Sequence, residues 1–596
     1  MPGPVGAIAI GLVAADAVLA LAGLTAPIVS VLALILAPGL ALARLLPARM
    51  GGGMGVIAAV PALGFAASSV LVISVARVGI PLTGLSVRLC IAVLVVGALG
   101  LIGEPRLRGR VEPLEVVGLV VALVAFAVLG SRVIGDLPVP GNDWAKYLLY
   151  ADEIRRQGSL LIDNPYWMLG VPFREDPGVP ALYGSFLILT GEPAATLARG
   201  IGVFAGMGLL SAFAFVRAWS GWVAGVLTAV LLAVTPISQD ILGWHGLANV
   251  AALALLPLAF LYVTVLASDG LSTREAGGFA IVVVALGATH RLTTIVGAIV
   301  LGLVLAVALI GGDRRRIARD VAVTAGIGLA IGAAVLLDVV ARQRTFGGTQ
   351  SYQAYLSTKI ELEFVVRDLS IPFALAAVCA LVLAGFPRVR SRGLVPVLAL
   401  LAVAAALAYG WLAHVPLAYA RMVYYLPLAL ASLVAVVIAR LLKPPAALVV
   451  GAVLAIAMGI IAWGQADNVR RFYSFANPTS LRGLNSVASA VRPGDVVVTD
   501  RCWSFLATWL IHTRTLAALD PADIQPRAEA PFAAEARQIL AGTPRGDALA
   551  RRLGVRYVLA DPTCRDSAGR PLSPPSVGAP VFVSERLVVI EIIRRR

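Results

Sequence analysis

Asp143 opens the segment Gly141-Asn142-Asp143-Trp144-Ala145-Lys146-Tyr147, just after an apolar stretch that ends near Ile134. A carboxylate at the mouth of an apolar helix can act as a general base toward a hydroxyl. Its plainer reading is a helix cap at an interface, a place that Asp and Asn often fill. Further on comes Phe173-Arg174-Glu175-Asp176-Pro177. Arg174 suits bidentate contact with an anionic oxygen. Glu175 and Asp176 are candidate substrate contacts that also read as turn formers before Pro177. His245, in Trp244-His245-Gly246, and the pair His290-Arg291 interrupt apolar sequence. Ionisable residues in that setting are costly and often functional, although His245 also reads as a helix end in an aromatic belt. Arg342, Lys359 and Arg421 complete the cations available to an anionic group. Asp152 and Glu153 read as solvated residues. Tyr352, Tyr355, Tyr419, Tyr424 and Tyr425 read as interfacial belt aromatics.

These residues are scattered over 596 positions, so membrane helices must gather them. The composition is 59% hydrophobic and 14% charged, with a mean hydropathy of +0.91. Soluble domains carry about 25% charged residues, so the chain is expected to be a polytopic α-helical membrane protein. Counting apolar runs of about 20 residues gives about 15 transmembrane helices, the shortest over Gly277–Ala288. The net charge of +15 comes almost wholly from Arg. With a cytoplasmic N-terminus, Arg44, Arg49, Arg106, Arg217, Arg274, Arg314 to Arg316, Arg388 to Arg392, Arg440 and Lys443 all fall in inner loops, as the positive-inside rule requires. Nucleic acid is therefore not an expected partner. Arg77 and Arg88 are the exceptions. The same layout puts Asp143, Glu175, Asp176, His245, His290, Arg291, Arg342, Lys359 and Arg421 together at the outer face. The expected divisions are 1–134 (helices), 135–196 (outer loop with a juxtamembrane helix), 197–467 (helices, with an outer loop at 341–369) and 468–596 (a soluble domain). The first apolar stretch lacks a basic flank and reads as a spanning helix, not a cleavable signal.

The last division has the pattern of a small α/β domain outside the membrane. Asp495–Asp500 and Arg556–Asp561 read as buried strands, Phe532–Leu540 and Gly546–Leu553 as helices, and Val581–Ile592 as a final strand pair. Cys502 and Cys564 each follow a strand, and neighbouring parallel strand ends would bring them near enough to pair. Two unpaired buried thiols are the alternative. No phosphate-cradling loop, zinc spacing or nucleophile elbow is found.

The run from Asp143 to Pro177 resembles the first periplasmic loop of GT-C class glycosyltransferases, especially protein mannosyltransferases and the aminoarabinose transferases of lipid A. There an acidic residue opens a juxtamembrane helix, a Gly and an extended stretch follow, and a Phe-x-Lys-Pro-Pro type element precedes the next membrane helix. Asp143, Gly158 and Phe173-Arg174-Glu175-Asp176-Pro177 stand in that order. The chain departs in having Asn142 where many relatives have a second acid, Arg174 or Glu175 in place of Lys, and extra spans before the loop. The resemblance implies an inverting, multi-pass plasma-membrane enzyme. It would move a sugar from a polyprenyl-phosphate donor to a glycan, lipid or protein acceptor of a bacterial cell envelope, with Asp143 as base. A divalent cofactor (Mg or Mn) is implied too, with its ligands left open by the missing acid. The rival reading is a transporter or flippase of a lipid-linked envelope glycan, with Asp16 as its intramembrane charge.

Overall fold

The computed structural model describes residues 3–50, 53–103, 111–141, 143–162, 175–345, 359, 361–415, 417–492, 494–512, 514–518, 529–564 and 578–592, without the side chains of 341–345, 364 and 514. Eleven helices among them are long and apolar enough to cross a membrane. They include Pro4–Leu21, Met54–Arg77, Gly84–Leu101, Pro113–Ile134, Leu247–Ser268, Arg291–Gly311, Arg314–Val340 and Tyr419–Leu441. A twelfth candidate is broken. Trp222–Val234 and Pro236–Gly243 meet at 52°, because Pro236 lacks an N–H and forces Thr235 out of helical geometry. The Thr235 hydroxyl donates to the Leu231 carbonyl (2.6 Å), satisfying a group at the break. Shorter apolar helices cover Gly178–Thr190, Ile371–Leu383 and Leu394–Ala408. The segment read as the shortest span is the helix Thr273–Thr289, 17 residues long.

Leu247–Ser268 lies at the centre of the bundle and is almost wholly buried. Small residues allow close packing nearby: a Cβ on Gly64 would stand 1.7 Å from the Ile35 carbonyl oxygen.

The basic loops converge at one end. Arg49 pairs with Asp269 (2.7 Å), which Arg392 also approaches (3.6 Å). Arg440 donates to the Trp219 carbonyl and Arg217 to that of Met50. At the other end of the same helices lie Gly243, Leu247, Thr289, Arg291 and Tyr419. The two basic exceptions are neutralised: Arg77 pairs with buried Asp338 (2.9 Å) and Arg88 with buried Asp16 (2.8 Å).

Beyond the Pro444–Tyr473 helix, which runs past the expected boundary at 468, stands a five-stranded sheet of order β2-β1-β3-β5-β4. β1 (Val496–Thr499), β2 (Arg514–Ala517) and β3 (Val555–Ala560) are parallel. β5 (Val588–Ile592) is antiparallel to β3 and to β4 (Gly578–Val583). β2 and the helix Ser504–Ile511 were not read from the sequence. That helix packs on the helix Asp143–Gln157, with Trp509 edge-on to Trp144 at 6.0 Å. A disulfide joins Cys502 to Cys564, just past the ends of β1 and β3.

Candidate active site

The helix Asp143–Gln157 carries too little hydrophobicity to span, yet it buries Trp144, Tyr147, Leu148 and Ile154. Its start is fixed by Gly141, whose N–H donates to the Tyr473 carbonyl (3.0 Å). Gly141 has a φ of +77°, and a Cβ there would lie 2.4 Å from the Trp244 carbonyl oxygen. Only glycine combines that backbone with that approach. Asp143 thus begins its helix against the Trp244–His245 turn. Burial raises the Asp143 carboxyl above its ordinary range; the charges of Lys146 and Arg421 oppose the shift and that of Glu175 adds to it.

The described end of the loop, Glu175 and Asp176, returns to the same place. Lys146, one turn from Asp143, pairs with Glu175 at 3.0 Å. Asp176 accepts the Arg291 backbone N–H (3.1 Å), with the Arg291 guanidinium at 3.7 Å. His290 caps the Arg291–Gly311 helix: its Nδ1 accepts the Thr293 N–H (3.3 Å) and stands 2.8 Å from the Thr293 hydroxyl. That hydroxyl stands 3.1 Å from the Asn249 side-chain amide and 2.8 Å from the Tyr425 hydroxyl. Burial, then the charges of Arg421, Lys146 and Arg291, push His290 down to about 3, so the ring is neutral.

His245 is fully buried with a left-handed φ of +64°, and neither ring nitrogen has a hydrogen-bond partner among the described residues. Burial pushes it down to about 3. Arg421 lies 5.2 Å from the Trp244 ring centroid, and no carboxylate pairs with it among the described residues. Asp240, in the Pro236–Gly243 helix, accepts hydroxyls from Tyr424 (2.6 Å) and Tyr473 (3.0 Å). Asp143, Glu175, Asp176, His245, His290, Arg291 and Arg421 therefore share one end of the bundle.

Lys359 stands over the Trp411 ring at 4.2 Å. Arg174 and the Arg342 side chain lie outside the described residues, as do Tyr352 and Tyr355. Asp152 and Glu153 are buried, not solvated, paired with Arg155 and Arg156. Tyr419 and Tyr425 are core residues, and Tyr424 is bonded to Asp240, so these three do not form a lipid-facing belt. Lys146, Asn249 and Thr293 were passed over in the sequence. The one available signal was the spacing His290-x-x-Thr293, which is that of a cap and its N–H donor.

Among the described residues one group of possible metal ligands converges: Asp500, Cys502 and Cys564. It does not fit an ion, since both sulfurs are consumed by the disulfide and the Asp500 oxygens accept the N–H groups of Trp503 and Asp561. No such group of His, Cys, Asp or Glu forms around Asp143 among the described residues.

No protein-family model and no curated protein sequence matches the chain. Solved structures do. The oligosaccharyltransferase AglB from Archaeoglobus fulgidus, in complex with an inhibitory peptide and a dolichol-phosphate, superposes with a TM-score of 0.53 at 12% identity, over 76% of this chain and 70% of that one. ArnT from Cupriavidus metallidurans, bound to undecaprenyl phosphate, superposes with a TM-score of 0.53 at 13% identity, over 80% of this chain and 97% of that one. At such identities the likeness establishes the fold alone: the chain is a polytopic membrane protein with the helical architecture of these two structures, closed by a small mixed-sheet domain.

Proposed function

We propose that the chain is a membrane glycosyltransferase that moves a sugar from a polyprenyl-phosphate donor to an acceptor at the outer face of the bacterial plasma membrane. The observation that carries this reading is the setting of Asp143. It is a half-buried carboxylate of raised proton affinity in the field of Lys146 and Arg421, two cations that also act on His290, at one end of a fold shared with AglB and ArnT. Asp143 takes the proton of the acceptor hydroxyl as its oxygen bonds the anomeric carbon. The bond from that carbon to phosphate breaks and the lipid phosphate leaves, received by cations. One base and one displacement imply inversion. Glu175 and Asp176 are engaged with Lys146 and Arg291, so their role is to place those cations.

The orientation that supports this has a cytoplasmic N-terminus, the basic end inside and the sheet domain outside. About 15 crossings then require Thr273–Thr289, Ile371–Leu383 and Leu394–Ala408 to span as well. The divisions 1–134, 135–196, 197–467 and 468–596 stand in the same proposal. Asp16, the charge on which a flippase reading leaned, is neutralised by Arg88 and bonded by the Ser30 hydroxyl (2.5 Å).

The test is Asp143→Asn, measuring transfer from a radiolabelled polyprenyl-phosphate sugar in proteoliposomes. Loss of a general base lowers the rate about 10²- to 10⁴-fold. Thermal stability should not fall, because the ionised carboxylate is disfavoured in the fold. Undiminished transfer refutes the base, and translocation of intact lipid without transfer favours the flippase.

A further inference from the structure

The His290 ring is held at one edge only. A backbone N–H can only donate, so the Thr293 N–H at 3.3 Å requires a lone pair on Nδ1. The neutral imidazole then carries its proton on Nε2. The Thr293 hydroxyl, 2.8 Å from Nδ1, has one proton to give; with that proton directed to Nδ1, Oγ1 accepts from the Tyr425 hydroxyl and from the Asn249 amide turned N–H₂ toward it, a group with no other partner among the described residues. Three elements thereby fix the ring: the start of the Arg291 helix, the core helix Leu247–Ser268 and the Tyr419–Tyr425 turn. Among the described residues nothing bonds Nε2. The charged groups acting there are Arg291 on its own helix, Lys146 on the Asp143 helix and Arg421 on the Tyr419–Tyr425 turn. Asp176, bonded to the Arg291 N–H, is the nearest acid shown.

We propose that His290 is a neutral hydrogen-bond donor, offering Nε2–H to a phosphate oxygen of the ligand, with Thr293, Asn249 and Tyr425 as positioning residues that fix its tautomer. The phosphate rests on the glycosyltransferase reading; the tautomer does not. A histidine locked in this way is neither the base of the reaction nor a metal ligand through Nε2, since that nitrogen has no lone pair to give. It supplies a directed donor where Lys146, Arg291 and Arg421 supply charge.

Amide substitutions separate the two nitrogens. His290→Asn keeps an acceptor for the Thr293 N–H, and with it the helix cap, but removes the donor at the Nε2 position. His290→Gln places an amide N–H near that position. The probe is undecaprenyl phosphate, titrated into detergent-purified full-length protein by native mass spectrometry, with undecaprenol and inorganic phosphate as separate arms. H290N is expected to weaken undecaprenyl phosphate at least tenfold and to leave undecaprenol unchanged, and H290Q to restore most of the loss. Competition by inorganic phosphate would mark the headgroup as the shared ligand; no competition would assign the site to the lipid-linked phosphate. In ¹⁵N-histidine spectra, the signal lost in H290N should report protonated Nε2 and bare Nδ1 throughout pH 5 to 8. Thr293→Val should mix the tautomers and Thr293→Ser restore one. Wild-type affinity in H290N, a protonated Nδ1, or binding in H290Q as weak as in H290N would each overturn the proposal. A tautomer and binding pattern as expected, with no sugar transfer by wild type, would refute the transferase reading alone.

Discussion

Gly141→Ala adds one methyl group where the helix of Asp143 meets the turn of His245. Two costs follow. The backbone there has a φ of +77°, which charges an L-residue with a side chain about 1–2 kcal/mol. The new Cβ would stand 2.4 Å from the Trp244 carbonyl oxygen and 2.9 Å from His245 Cβ, whereas carbon contacts are comfortable at about 3.5–4.0 Å. The turn must therefore retreat by about 1 Å, at the ~1–3 kcal/mol typical of overpacking. Gly191 isolates the second cost. Its φ is +68°, but nothing lies within 4 Å of its added Cβ, so Gly191→Ala carries the backbone cost alone. In one detergent, the unfolding transition of G141A should lie below that of G191A by the equivalent of ~1–3 kcal/mol. Transfer per folded molecule should fall up to about 10²-fold in G141A, since a shift of about 1 Å at a positioned site costs that much. Equal stability and equal transfer in the two variants would refute the claim that Gly141 sets Asp143 against His245.

The pH–rate profile should answer to charge around Asp143. Transfer is lost as pH falls through the Asp143 pKa. Lys146→Met removes a charge that lowers this pKa and moves the acid limb to higher pH, while Glu175→Gln moves it lower; shifts in one direction would contradict the placement. Cys502→Ser with Cys564→Ser opens a loop with a sequence separation of 62 residues, worth ~4 kcal/mol of chain entropy; protease resistance of the sheet domain that survives reduction unchanged would disprove that contribution. Asp16→Asn leaves a half-buried Arg88 without its carboxylate, at ~1–3 kcal/mol. Folded yield should drop while transfer per folded molecule holds, and a selective loss of transport would revive the flippase reading.

Much of the fold could be read from the chain because apolar periodicity and loop charge are local signals. The helix Asp143–Gln157 with its stop at Gly158, strands β1 and β3, and the helices Ala530–Ile539 and Pro544–Arg552 fall close to where patterning puts them. The break at Thr235–Pro236 did not interrupt the apolar run, and nothing in the composition marks the helix Pro236–Gly243 beyond it. β2 and the helix Ser504–Ile511 were missed because each is short, and their identity depends on packing against β1 and Trp144. The tyrosines were misread for a related reason: hydropathy does not tell a lipid-facing aromatic from one bonded to Asp240 or Thr293 across the bundle.

By itself the sequence determined that this chain is a membrane protein, which of its loops are basic, and that its ionisable residues avoid most of the helices. Those properties follow from the cost of putting charge in hydrocarbon, paid residue by residue. The tertiary structure decided which of those residues meet. Lys146 reaches Glu175, Arg291 reaches Asp176, and Thr293 ties His290 to Asn249 and Tyr425, across separations that no local pattern encodes. It also decided which nitrogen of His290 holds the proton, because the Thr293 N–H and hydroxyl both face Nδ1.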